Sequence, residues 1–215
     1  MTEAEWTSSA ELRDLLLHVN GNGAERKLRL FAVACCRQVA FMVVPEVVTA
    51  LGVAELVADG LAGDVERKNA RASALGATWV SDVSLTSRRG PAKASVCDAL
   101  ERRAIDAAIG ASYRVGPIIN RGFDRTAGYA VLRVLLRDIF GNPFRPVAFD
   151  SAWRSSTVTS LAEAIYAERA FDRLPILADA LEDAGCTSAD VLEHCRQPGE
   201  HVRGCWVVDL VLEKD

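Results

Sequence analysis

Cys186, His194, Cys195, His201 and Cys205 stand within twenty residues of one another near the end of the chain. Thiolate and imidazole are the donors that zinc prefers, so the first chemistry this stretch suggests is metal binding. Spacing prunes the set. His201 and Cys205 are four apart and share one face if the segment is helical. His194 and Cys195 are neighbours that point roughly 100° apart on a helix, so only one of them can ligate. If 188–196 is helical, about 12 Å of axial rise separates Cys186 from His194, awkward for two ligands of one ion. The metal set is therefore His201, Cys205 and either His194 or Cys195, folded back across Gln197-Pro198-Gly199. Cys186, a distant cysteine or water would take the fourth position, and zinc is the ion such a set implies. No C-x-x-C pair accompanies them, although most zinc sites of this type carry one.

The same residues could instead form a nucleophilic site. Cys195 or Cys205 would need His194 or His201 within hydrogen-bond reach and a basic setting, for which Arg196 and Arg203 are at hand. The surrounding acids (Glu163, Glu168, Asp172, Asp179, Glu182 and Asp183) alternate with Arg169 and Arg173. That pattern reads as a salt-bridged surface rather than an acid–base pair. Gly21-Asn22-Gly23 precedes a helix but lacks the lysine and the leading strand of a phosphate loop. The sequence assigns no catalytic residue, and no cofactor is expected beyond the zinc that the Cys/His set could take.

The elements that must carry these residues are helices. Thr2 and Glu5 form a capping box ahead of Trp6. Ser9 opens a helix with Leu12, Leu15, Leu16 and Val19 on one face. From Ala24 to about Val44 the chain reads as one buried helix, whose single charge beyond Leu30 is Arg37. A charge there must reach solvent or meet a carboxylate. Helices follow from Pro45 to Gly60, Asp64 to about Val80, Ala94 to Tyr113 (broken by Gly116-Pro117) and Arg125 to Phe140. Ser81 to Lys93 reads as a linker or loop between an N-terminal half, 1–80, and a C-terminal module, 94–215. Thr157 or Thr159 caps a helix to Arg169, Leu174-Pro175 opens the next, and Thr187 or Ser188 caps a short one to Arg196. His201 to Leu212 closes the chain as a helix. The fold class is all-α: a single multi-helix orthogonal bundle, or two helical subdomains.

Composition narrows the partners. The chain has 215 residues, half of them apolar, and a formal charge of −4, ordinary globular values that disfavour general nucleic-acid binding. Arg88 to Arg145 is locally basic, with eleven bases against five acids. With Tyr113, Phe123 and Tyr129 as stacking groups, this stretch is the basis of a nucleic-acid reading. The acidic start MTEAEW and the lack of a long apolar run predict no leader and no membrane span, hence a cytoplasmic protein with reduced thiols. Asn142-Pro143-Phe144-Arg145-Pro146 is a rigid turn that presents Phe144 and Arg145 either as a docking element or as a structural corner.

Several stretches resemble an uncharacterised, paralogue-rich family of large-genome bacteria. They are MTEAEW, Arg26–Arg37 (RKLRLFAVACCR), Arg137–Val147 (RDIFGNPFRPV), Ala164–Cys186 and His194–Leu210, together about a third of the chain. The resemblance implies kinship without an activity. The expectation is a helical interaction or accessory module that binds another protein, with a metal-stabilised domain or a Cys/His enzyme at His194–Cys205 as the alternative.

Overall fold

The computed structural model describes residues 1–8, 11–21, 23–79, 89–119 and 125–214. Among them are twelve α-helices and no strand: α1 Glu3–Thr7, α2 Leu12–Val19, α3 Glu25–Arg37, α4 Pro45–Ala58, α5 Asp64–Trp79, α6 Arg89–Ala99, α7 Ala104–Ile119, α8 Arg125–Phe140, α9 Ser156–Glu168, α10 Leu174–Asp183, α11 Ala189–Arg196 and α12 Trp206–Leu212. The all-α expectation holds. No helix among the described residues is long and apolar enough to cross a membrane. The chain divides into two compact units, 1–136 and 137–215. The sequence placed a break across 81–93 instead. That stretch is already helical from Arg89, Lys93 is buried, and α6 packs on α3, α5 and α7, so it belongs inside the first unit. Residues 81–88 lie outside the described residues.

In the first unit α3 is the spine, packed against α4, α6 and α7. Phe31, Ala32, Cys35 and Cys36 along it have no exposed surface. All six cysteines are free and buried, as small hydrophobes are. The expected helix to Val44 stops at Arg37, with one further 3-10 turn at Ala40–Met42. Pro45 is the cause. The residue before a proline is forced out of the helical region, and Val44 is extended at φ −72°, ψ 152°. Arg37 meets a carboxylate: its Nε and Nη2 donate to Glu55 Oε1 at 3.0 and 2.8 Å.

Two expectations in 94–119 are corrected. Apolar spacing suggested one helix to Tyr113, yet α6 ends at Ala99 and α7 begins at Ala104. The carbonyls this break exposes are taken by buried arginines. Arg29 donates to Glu101 O and Arg102 O at 3.0 and 3.1 Å, and Arg67 donates to Leu100 O. Within α6 itself the backbone closes the end, Leu100 N donating to Cys97 O and Glu101 N to Asp98 O. Gly116-Pro117, read as a stop, lies inside α7. The proline leaves idle only the carbonyl of residue 113, whose side chain is 73% exposed, on the wet side of the helix.

Gly116 and Gly128 let α7 and α8 meet closely. A Cβ on Gly116 would lie 2.5 Å from the Tyr129 ring, and one on Gly128 would collide with the Gly116 carbonyl oxygen. Alanine gains about 1 kcal/mol over glycine in a helix interior, but pushing backbone against backbone costs about 3 kcal/mol. Gly128→Ala is therefore expected to lose about 2 kcal/mol net. Gly52→Ala, in α4 with nothing within 4 Å of the new methyl, is expected to gain up to about 1 kcal/mol. Paired thermal melts check both signs.

The second unit has its own core. Val158, Ala162 and Ile165 of α9, Leu174, Leu177 and Leu181 of α10, Val191 and Cys195 of α11, and Val207, Val208 and Val211 of α12 form one buried cluster. Ser155, not Thr157 or Thr159, caps α9, accepting from Val158 N at 3.3 Å. The final helix begins only at Trp206, and Arg154 closes its other end by donating to Leu210 O and Val211 O.

Candidate metal centre

Four side chains of the second unit bring one donor atom each to a common point: Asp138, His194, His201 and Cys205, with all four atoms within 4.8 Å of one another. Asp138 comes from the last turn of α8, His194 from the last turn of α11, and His201 from the loop after it. Cys205 is the residue that caps α12. The sequence therefore named three of the four. Cys195, the alternative to His194, has no exposed surface and packs in the apolar core, and so does Cys186. His201 and Cys205 do share the site, but not through a helical face. They are joined by a turn in which Cys205 N donates to Val202 O at 2.9 Å, with Gly204 at φ 96°. A residue with a side chain pays steric strain at that φ.

Distances inside the cluster are those of touching polar atoms. His201 Nδ1 lies 2.6 Å from Asp138 Oδ1, and His194 Nε2 lies 3.2 Å from the same oxygen and 3.2 Å from Cys205 Sγ. Ligands on a tetrahedral zinc stand about 3.2–3.7 Å apart, from bonds of about 2.0–2.3 Å. Two of these three contacts already match; the third must open by about 0.6 Å, and the wider pairs, which reach up to 4.8 Å, must close. Val202 N donates to Asp138 Oδ2 at 2.9 Å, which fixes the carboxylate plane. His201 Nε2, at the far side of the ring, is buried without a hydrogen-bond partner. A histidine kept for packing or capping normally satisfies both nitrogens; this one is engaged only toward the cluster.

The electrostatics suit a cation. Side-chain exposure is 3% for Asp138, 6% for His201 and 10% for His194, and Cys205 has none. Burial pushes the Asp138 carboxyl up, but the hydrogen bonds from His194 and His201 outweigh it and hold it below the usual range. The Cys205 thiol is raised well above its ordinary value by burial and then by the Asp138 charge, while the backbone N–H groups of Val208 and Val207 oppose the rise. Burial likewise raises Cys195 to about 12. Asp138 also stands in the last turn of its helix, where a negative charge opposes the macrodipole at a cost of about 0.3–1 kcal/mol. The position is unfavourable for α8 and useful only to what faces it.

Neighbouring side chains hold the donors in place. Gly141 ends α8 at φ 64°, and a Cβ there would sit 3.2 Å from the Trp206 ring. Trp206 in turn lies against His194, centroid to centroid 5.0 Å. Arg203, in the loop between His201 and Cys205, stacks over Tyr166 of α9 at 4.2 Å, with Lys214 at 4.7 Å over the same ring.

A Cys–His–Asp relay needs thiol and carboxylate on opposite nitrogens of one imidazole. Here Cys205 and Asp138 both face His194 Nε2, while Nδ1 meets Gln197 Nε2 at 3.1 Å. The groups converge on a point instead of forming a chain. The other singled-out residues do not join this centre. Phe144 is half-buried and Arg145 exposed, in a turn closed by Arg145 N donating to Asn142 O at 3.0 Å. In the basic stretch Arg114 pairs with Asp98 and Arg103 with Asp106. Tyr113 is exposed and Tyr129 half-buried, while Phe123 and Arg88 lie outside the described residues. Comparison with protein-family models, with curated proteins and with solved structures finds no match for this chain.

Proposed function

We propose that this is a metal-binding helical protein whose C-terminal unit holds one divalent ion of the zinc class through Asp138, His194, His201 and Cys205. The convergence of these four buried donor atoms carries the reading. Two imidazoles and a thiolate favour zinc, or cobalt in its place, over the oxygen-seeking magnesium and calcium. Charge balance favours a divalent ion as well. One carboxylate and one thiolate neutralise two positive charges, and a buried site tolerates no residual charge cheaply.

A reaction centre on zinc keeps one position open for water or substrate. Four buried protein donors leave none, so the ion is read as a clamp on the fold, in a module that acts by binding another protein. The core of α9 to α12 and the Asp138–histidine contacts sustain the metal-free fold, so loading adds stability to a preformed site.

The test is metal analysis of untagged protein, with melting before and after chelation. One equivalent of zinc is expected, and chelation should lower the melting temperature reversibly. Zinc at about a thousandfold its Kd contributes about 4 kcal/mol. His201→Asn keeps a donor toward Asp138 but is a poor ligand; it should retain the metal-free melt and lose the zinc. Protein that carries no stoichiometric metal and does not shift on adding zinc overturns the reading.

A further inference from the structure

His194 has two nitrogens with different tasks. Nε2 faces Asp138 and Cys205, and Nδ1 faces the Gln197 side chain at 3.1 Å. When the amide nitrogen of Gln197 donates to Nδ1, the proton of the neutral ring stands on Nε2 and points at Asp138. To bind an ion, Nε2 must be bare, so the proton moves to Nδ1 and needs an acceptor there. Glutamine carries a donor and an acceptor on one terminal group, and a half-turn of its amide presents Oε1 in place of Nε2. Nothing about the position resists that turn. Gln197 is exposed, its backbone N–H is anchored to Glu193 O at 2.8 Å, and Pro198 follows it.

We propose that Gln197 is the positioning residue that makes this site exchangeable: its amide satisfies His194 Nδ1 in either tautomer, so the ion can enter and leave without stranding a polar nitrogen. The inference rests on the metal-binding reading above. A carboxylate is the more usual partner of a zinc-bound histidine, and it serves only the tautomer that ligates. Glutamine at this point trades some affinity for reversibility.

Opposite effects from two variants test this. Gln197→Glu can only accept from Nδ1, so it should bind the ion about tenfold tighter and release it more slowly. Gln197→Leu serves neither tautomer; because the N–H of a ligating ring is the stronger donor, its loss costs the loaded state more and should weaken binding by about tenfold. Melts of the metal-free variants separate the loss of the Nδ1 partner, expected for leucine, from the change in affinity. The probe is cobalt(II), followed by its visible absorbance and displaced by zinc, with release timed after a chelator jump. Ring ¹⁵N NMR of the parent should show the proton moving from Nε2 to Nδ1 of His194 on loading. If the parent binds cobalt but both variants bind and release it as the parent does, or Gln197→Glu weakens binding as leucine does, the role assigned to Gln197 is wrong and the metal site stands. A parent that takes up no cobalt overturns both.

Discussion

Asp138→Ala is expected to abolish metal uptake and to lower the unfolding free energy by about 3–5 kcal/mol, the cost of breaking a buried charged network. The carboxylate touches three groups: His201 Nδ1 at 2.6 Å, His194 Nε2 at 3.2 Å and Val202 N at 2.9 Å. Alanine leaves two imidazoles facing one another across a gap and a backbone N–H with no acceptor, in a region where water does not reach. Asp138→Asn separates the contributions. It keeps an acceptor for Val202 but loses the charge and the ligand strength. Its stability should fall between alanine and the parent, while its metal content should match alanine. Urea unfolding, with cobalt absorbance on the same samples, reads both quantities. A stability loss under about 1 kcal/mol for alanine would mean that water or a rearranged histidine replaces the carboxylate at little cost.

The site was legible in part, and for an instructive reason. His194, His201 and Cys205 announced themselves because histidine and cysteine are rare and their clustering is informative. The argument joining His201 to Cys205 assumed a helix, but a turn through Gly204 brings them together. Asp138 was invisible to that reasoning: acids are common, and this one lies far back in the chain. A signal was nevertheless present. Leu132, Leu135 and Ile139 form the inward stripe of α8, and Asp138, three residues beyond Leu135, falls on that stripe in the last turn. A carboxylate on a buried face at the wrong end of the helix dipole calls for a cationic partner. The choice between His194 and Cys195 could also have been made. Cys195 follows Val191 by four and so belongs to the core stripe, which turns its neighbour toward the loop.

Helix types and most boundaries followed from periodicity and capping, as the Thr2–Glu5 box, Pro45, Pro175 and Gly185 illustrate. What periodicity cannot carry is a helix end set by a distant residue. The break after Ala99 depends on Arg29 and Arg67, which donate to carbonyls at Leu100, Glu101 and Arg102 from elsewhere in the chain. Local sequence shows the apolar spacing running on. Only the fold shows the guanidinium groups that make stopping affordable.

Arg37→Ala should produce the largest stability loss in the first unit. Glu55 is 2% exposed, and Arg37 holds its Oε1 through both Nε and Nη2. Removing one partner of a buried pair costs about 3–5 kcal/mol. Arg37 itself is 33% exposed, so water can follow the truncated side chain toward the carboxylate, and the expected loss is at the lower end, about 3 kcal/mol. Arg37→Lys keeps the charge but not the two-pronged geometry and should recover less than half of that loss. The consequence is local. The pair joins the end of α3 to α4, so hydrogen exchange should quicken at that junction, while cobalt uptake should match that of the parent. An Arg37→Ala protein with an unchanged urea midpoint would show that Glu55 is served well enough by its other contacts, and that the one charge of α3 beyond Leu30 is there for something other than holding α4.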